Sequence, residues 1–358
     1  MIIPTEPIGS IPRPKSLIDA INANGNAADS ALDPIYDAAI RDTIQRFAAT
    51  RSPVITDGEQ RKYHNFWTYC VEGLANITPD GFRMPFPGGH ARRMPRLQSG
   101  PFRYAQYADR FLDQALGYAR VPLKQAVISP SALSLMYPDE GIPTYSREAF
   151  IEDLLQEHVK EVRRCLEKRA YKVQIDFTEG PLALRLDPTG ALLESFVDLN
   201  NLALSQFSDG ERQHLGVHTC HGVDEKGVNG EDLDCAALLP SIFQLNVVNF
   251  YIAVAGAPEP ARVLEVIGRH IKPHHKVFVG VVVPRDPRIE TPEVVRDRVL
   301  EAARYIPIKQ LGTTDDSGFA PYFDDATTTR EAAFAKIRAR IVGTDLASVV
   351  LHGEHTRG

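Results

Sequence analysis

Eight short apolar stretches, most of them separated by a segment of helix length, constrain this chain more than any other feature of it. They begin at Pro4, Pro53, Ala126, Tyr171, His214, Phe250, Lys276 and Ile308, and several are rich in Val and Ile, as in Val173-Gln174-Ile175 and Val277-Phe278-Val279. The segments between them carry helix signals. Asp33-Pro34 opens a helix with Ile40, Ile44 and Phe47 on one face, Asp serving as N-cap and proline as the first helical residue. Ser146 caps a second, striped by Ile151, Leu154, Leu155, Val162 and Leu166. Further helices run from Glu259 to about Ile271, from Thr291-Pro292 with Val295, Val299 and Ala303 facing inward, and from about Thr329 to Ile341. This alternation predicts an α/β fold of the (β/α)8 TIM-barrel type. A doubly wound open sheet is the competitor, but it leads one to expect G-x-G-x-x-G after the first strand, and none stands there.

The 358 residues suit one barrel over 1–358 with an insertion or lid, residues 61–120, between the second and third strands. That stretch is irregular and holds Trp67, Tyr69, Pro87-Gly88-Gly89 and the basic group Arg92, Arg93 and Arg96. With 43% hydrophobic and 24% charged residues the chain can bury a large core, and a formal charge of −6 gives no reason to expect nucleic acid or an anionic membrane as partner. Four scattered cysteines without C-x-x-C suit a reducing compartment. No signal peptide and no run of about 18 apolar residues is present, so the expected location is cytoplasmic.

A barrel gathers its chemistry at the C-terminal ends of its strands. Those ends carry Ser10, Asp57 with Glu59, Ser129 with Ser131, Asp176 with Glu179, His218 with Cys220 and His221, and Asp315 with Asp316 and Ser317. Residues two apart in a strand share a side, so His218 and Cys220 point into one space, and both are zinc-ligand types. The plain alternative is coincidence, and Ser or Asp at such ends often only caps the next helix. Asp176 ends a strongly apolar strand and needs a partner. Tyr63, Trp67 and Tyr69 are either a pocket wall or packed core. His274 and His275 precede the seventh strand and fall on the face associated with stability. Cys70, Cys165 and Cys235 read as ordinary thiols, and His352 and His355 as part of a mobile polar tail.

Ile8-Gly9-Ser10, Gly58-Glu59-Gln60-Arg61, Val173-Gln174-Ile175-Asp176, His218-Thr219-Cys220 and Thr313 to Phe319, in this order, resemble the catalytic barrel of cobalamin-independent methionine synthase. The resemblance spans essentially the whole chain and implies a transferase in which a homocysteine-like thiol attacks a methyl or alkyl donor. It implies zinc at His218 and Cys220, which lowers the pKa of a bound thiol. Ile8, Gly9, Ser10, Glu59 and Asp176 then hold the amino-acid part of the substrate, with Ser129 as a further binding position and Glu59, Asp176 and His218 as the catalytic set.

Two departures accompany it. The family's remaining metal ligands, a glutamate and a cysteine, fall at Ala253 and Ser317, and neither replaces what is lost. Three arrangements stay open. Asp315 or Asp316, with His221, rebuilds a site that suits another divalent metal. The barrel works without metal, by acid–base chemistry of Glu59, Asp176 and His218. Or Ser317 is an introduced substitution. A non-catalytic small-molecule binder is the third class of function. The family's complete enzymes have two barrels, so the donor is open here; the basic stretch from Arg92 to Arg103 is either its anionic receptor or a solvated loop.

Overall fold

The computed structural model of the chain describes residues 2–62, 65–78, 81, 83–85, 91–220, 235–325 and 327–355. Six strands, Lys124–Ile128, Lys172–Asp176, Leu215–Thr219, Asn249–Ile252, Lys276–Val282 and Leu311–Asp315, form one parallel sheet in chain order. Two extended segments complete the ring through single parallel bridges, Thr5 to Thr313 and Ile55 to Leu123. The Glu6 N–H donates to the Thr313 carbonyl at 3.0 Å, and the Lys124 N–H to the Ile55 carbonyl at 2.8 Å. The two segments meet through Ile11 N–H to Gly58 O at 3.0 Å and Thr56 Oγ1 to Gly9 O at 2.7 Å. Pro4, Pro7 and Pro53 lack an N–H, which limits ladder formation in both. The result is the eight-position α/β barrel expected from the sequence.

Inside the ring, large residues face glycines. A Cβ on Gly216 would lie 2.7 Å from the Tyr251 ring, and one on Gly312 would lie 2.4 Å from Phe278. Outside, helices cover the strands. Ser146 and Thr291 cap the helices Arg147–Glu167 and Pro292–Ala302 as expected. Asp33 does not cap: it is the first residue of Asp33–Thr50, and its carboxylate instead accepts from Arg61 Nη1 at 2.8 Å. The last helix does not end near Ile341 but runs Arg330–His355, so His352 and His355 belong to it and not to a tail. It is pinned along its length, Thr344 Oγ1 lying 2.8 Å from Thr313 Oγ1 and Ser348 Oγ accepting the Ile3 N–H at 3.1 Å.

Between the second and third barrel positions lie two small antiparallel ribbons, Ile77–Thr78 with Arg96–Leu97 and Arg83–Pro85 with Ala91–Arg93, and the helix Asp109–Tyr118. Carboxylates on one face of the helix Arg147–Glu167 hold this segment. Asp153, Glu157 and Glu161 accept the N–H groups of Phe102, Tyr104 and Ala108 at 3.2, 3.1 and 2.8 Å. Among the described residues no helix is long and apolar enough to cross a membrane. Tyr63, Pro87-Gly88-Gly89 and His221 lie outside the described residues.

Candidate active site at the barrel mouth

The mouth is built from a tight turn after the second strand position. Gly58 and Glu59 both have left-handed backbones, φ 72° and 56°. Glycine takes that conformation without strain, while Glu59 is held there by its N–H donating to Asp57 Oδ1 at 2.8 Å. Arg13 locks the turn from below, donating from Nη2 to the carbonyls of Glu59 and Lys62, both at 2.7 Å, and from Nε to that of Gln60 at 3.1 Å. The turn carries Lys62 back over the barrel, where Nζ donates to Glu59 Oε1 at 3.1 Å and to the Ala126 carbonyl at 2.9 Å. Gly9 brings the first segment close, since a Cβ there would stand 2.9 Å from Glu59 Oε1.

Across the mouth, Asp176 ends its strand in register with His218 on the next. Gln174 Nε2 donates to Asp176 Oδ1 at 2.7 Å. His218 Nδ1 lies 3.3 Å from the Tyr251 carbonyl, which can only accept. Nδ1 is therefore the donor in this contact, which leaves Nε2 as the other ring nitrogen. Glu59, Lys62, Asp176 and His218 are all buried. Residues 65–67 roof them over: Trp67 Nε1 donates to Thr178 Oγ1 at 3.1 Å, and the Phe66 N–H to the Pro321 carbonyl at 3.3 Å. Trp67 thus belongs to the mouth, whereas Tyr69 lies in the core with its hydroxyl on Glu161 at 2.9 Å.

Burial dominates the electrostatics. It pushes Asp57 up to about 6 and Asp176 up to about 7, with Lys62 opposing and Glu59 reinforcing the rise at Asp176. For Lys62, burial works against the ammonium, but Glu59 and Asp176 overcome it and raise its pKa. Asp57, Glu59 and Asp176 face Lys62 and Arg13, so full ionisation leaves the mouth with one negative charge in excess.

The other expected site residues are held as follows. Ser10 docks the loop after the last strand, its Oγ accepting the Ala320 N–H at 3.2 Å and its carbonyl the Phe319 N–H at 3.0 Å. The Ile8 N–H points to Asp315 Oδ2 at 3.3 Å. Ser129 caps the helix Pro130–Ser134 through Ala132 N–H at 3.2 Å and donates to Glu179 Oε1 at 2.7 Å, and Ser131 donates to the same oxygen.

Around the expected metal position the side chains are held as follows. Asp315 is buried and salt-bridged to Arg340 of the last helix at 3.0 Å. Asp316 is committed to three N–H groups, those of Val254, Ala255 and Gly256, at 2.9, 3.0 and 2.6 Å. Ser317 Oγ donates to the Gly318 carbonyl at 3.2 Å, and Ala253 is buried without a donor atom. Among the described residues no group of three or more His, Cys, Asp or Glu side chains is placed to hold a metal ion. Among the described residues His218 and half-buried Cys220 supply two of the three or four protein ligands that a zinc site uses.

Lys62 and Arg13 were not singled out from sequence. A lysine three residues after a strand-end glutamate, and an arginine between two prolines, were the only signs.

No family model matches the chain. It is 25% identical over 349 residues to the methionine synthase of Sulfurisphaera tokodaii, covering 96% of this chain and 92% of that protein. It is 22% identical over 351 residues to the methionine synthase of Saccharolobus solfataricus, covering 96% and 94%. Its fold superposes, with a TM-score of 0.75 and 18% identity, on a B12-independent methionine synthase from Shewanella sp. W3-18-1 in complex with selenomethionine, over 99% of this chain and all of that one.

Proposed function

We propose that this chain, a cobalamin-independent methionine-synthase-like single-barrel protein, transfers a methyl or alkyl group to the thiol of a small amino-acid-type substrate of the homocysteine kind. The observation that carries the reading is the buried pair Glu59 and Asp176, sharing one lysine and standing beside His218 under a roof that keeps water out. The excess negative charge suits a substrate ammonium, which accepting carboxylates bind through charge-assisted hydrogen bonds. The substrate thiol then lies toward His218 and Cys220.

His218 Nε2 takes the proton of the S–H. The thiolate attacks the donor carbon, the sulfur–carbon bond forming as the bond from that carbon to its leaving group breaks. The leaving group departs with the electron pair, and the imidazolium returns its proton to it or to water. In this scheme His218 is the base and Glu59 and Asp176 orient the substrate. Among the described residues the donors around Ala253 and Ser317 fall short of a zinc site, and on this metal-free scheme purified protein from zinc-supplied medium should carry less than ~0.1 zinc per chain. The double change Ala253→Glu with Ser317→Cys should raise that content; a wild-type content near one zinc per chain contradicts the metal-free scheme.

The activity is tested by incubating the protein with L-homocysteine and a panel of methyl folates and simple epoxides, reading S-alkylated product by mass. Product that disappears in His218→Ala supports transfer. Binding of L-homocysteine without turnover on the panel points instead to a non-catalytic relative.

A further inference from the structure

Below the site, the barrel interior holds polar side chains where branched apolar residues are the rule. Lys172, Gln174 and Asp176 alternate along one strand and rise toward the mouth. Lys124 Nζ donates to Gln174 Oε1 at 2.8 Å, and Gln174 Nε2 to Asp176 Oδ1 at 2.7 Å. Beneath them, Glu6 pairs through Oε1 with Lys172 Nζ at 2.6 Å and accepts the Tyr251 hydroxyl at Oε2, also at 2.6 Å. Lys124 Nζ lies 3.9 Å from Glu6 Oε2 and 3.9 Å over the Tyr251 ring. All six side chains are buried.

We infer that Lys124 and Gln174 are positioning residues that hold Asp176 as the acceptor of a substrate ammonium. The reason is the asymmetry of the groups. An ammonium only donates, so Lys124 must meet the oxygen end of the Gln174 amide. That choice turns the amide N–H toward Asp176, and a donated hydrogen bond favours the ionised carboxylate. Among the described residues no other group fixes the amide, and without Lys124 its oxygen can turn to a protonated Asp176 instead. Burial pulls the Lys124 ammonium down to about 7, so its charge depends on Glu6, which Lys172 and Tyr251 hold in place. Tyr251 also accepts from His218 through its carbonyl, so one strand serves both ends of the mouth.

This deepens the functional reading above and rests on it, because it concerns recognition of the substrate amine. The test compares calorimetric affinities for L-homocysteine and for 4-mercaptobutanoate, the same thiol acid without the amine. Wild-type protein should prefer the amine-bearing thiol by at least about tenfold, the worth of one hydrogen bond to a charged group. Lys124→Met and Gln174→Met should remove most of that preference while leaving 4-mercaptobutanoate binding within about twofold, since they act only through Asp176. A folded variant that keeps the wild-type preference, or that weakens both ligands equally, overturns the inference. If Lys124→Met does not fold, Gln174→Met carries the test. If wild-type protein shows no preference at all, the functional reading itself fails and the inference falls with it.

Discussion

Asp176 shows how far a side chain's role depends on what surrounds it. Its place after Val173-Gln174-Ile175 already required a partner, and it has Gln174 at 2.7 Å with Lys62 and Glu59 nearby. Burial lifts it to about 7. A carboxylate raised in the free protein is largely protonated below that value, and an ammonium ligand binds the ionised form. Affinity for L-homocysteine should therefore rise between about pH 5 and 7, and Asp176→Asn should flatten the rise in a calorimetric pH series. An unchanged slope in the variant would remove Asp176 from the binding site. Glu59, Asp176 and His218 were legible because strand ends announce themselves. Lys62 was not, because a loop lysine ordinarily reads as a solvated charge; only the left-handed turn at Gly58 and Glu59 brings it inside.

At the level of single elements, strand parity decides what a residue faces. Thr313 reaches Thr344 on the last helix, and Asp315 meets Arg340 of the same helix even though the strand register shifts between Thr314 and Asp315. Asp316 stands above Gly280, where an added Cβ would lie only 1.8 Å from Oδ1. Gly280→Ala must displace that carboxylate from the three N–H groups of residues 254–256, and a loss of ~2 kcal/mol in denaturant unfolding is expected. A change under ~0.5 kcal/mol would show that Asp316 moves freely. His275 illustrates the stability face. It is buried against Phe243 and Phe250, and its pKa falls to about 4, from burial first and then His274 and Lys272. Between that value and the ordinary 6.5 the unfolded chain binds the proton and the folded one does not, so this group's stabilisation is lost as pH falls through the window. His275→Phe should reduce the drop in melting temperature between pH 6.5 and 4.5 relative to wild type, and an equal drop would contradict this.

For the whole molecule, the eight strand positions and their order were readable from apolar runs and helix caps, since both follow from local patterns. What the pattern could not show is that the first two members, the segments at Pro4 and Pro53, join the ring through one bridge each and form no regular ladder, their prolines lacking an N–H. Nor could it show the roof of residues 65–67, whose partners Thr178 and Pro321 are more than a hundred residues away in sequence. The last helix was cut short because its outer face, with Val342, Leu346 and Val349 exposed, breaks the amphipathic pattern that marks a helix end. Together these elements bring Glu59 and Asp176 to one mouth with His218 and Cys220, the arrangement on which the proposed amine and thiol ends rest. The most direct test is a crystal structure of the protein soaked with L-homocysteine. The amine nitrogen should lie within about 3 Å of Glu59 and Asp176, with the sulfur turned to His218. The ligand bound elsewhere, or with its amine away from both carboxylates, would contradict the account.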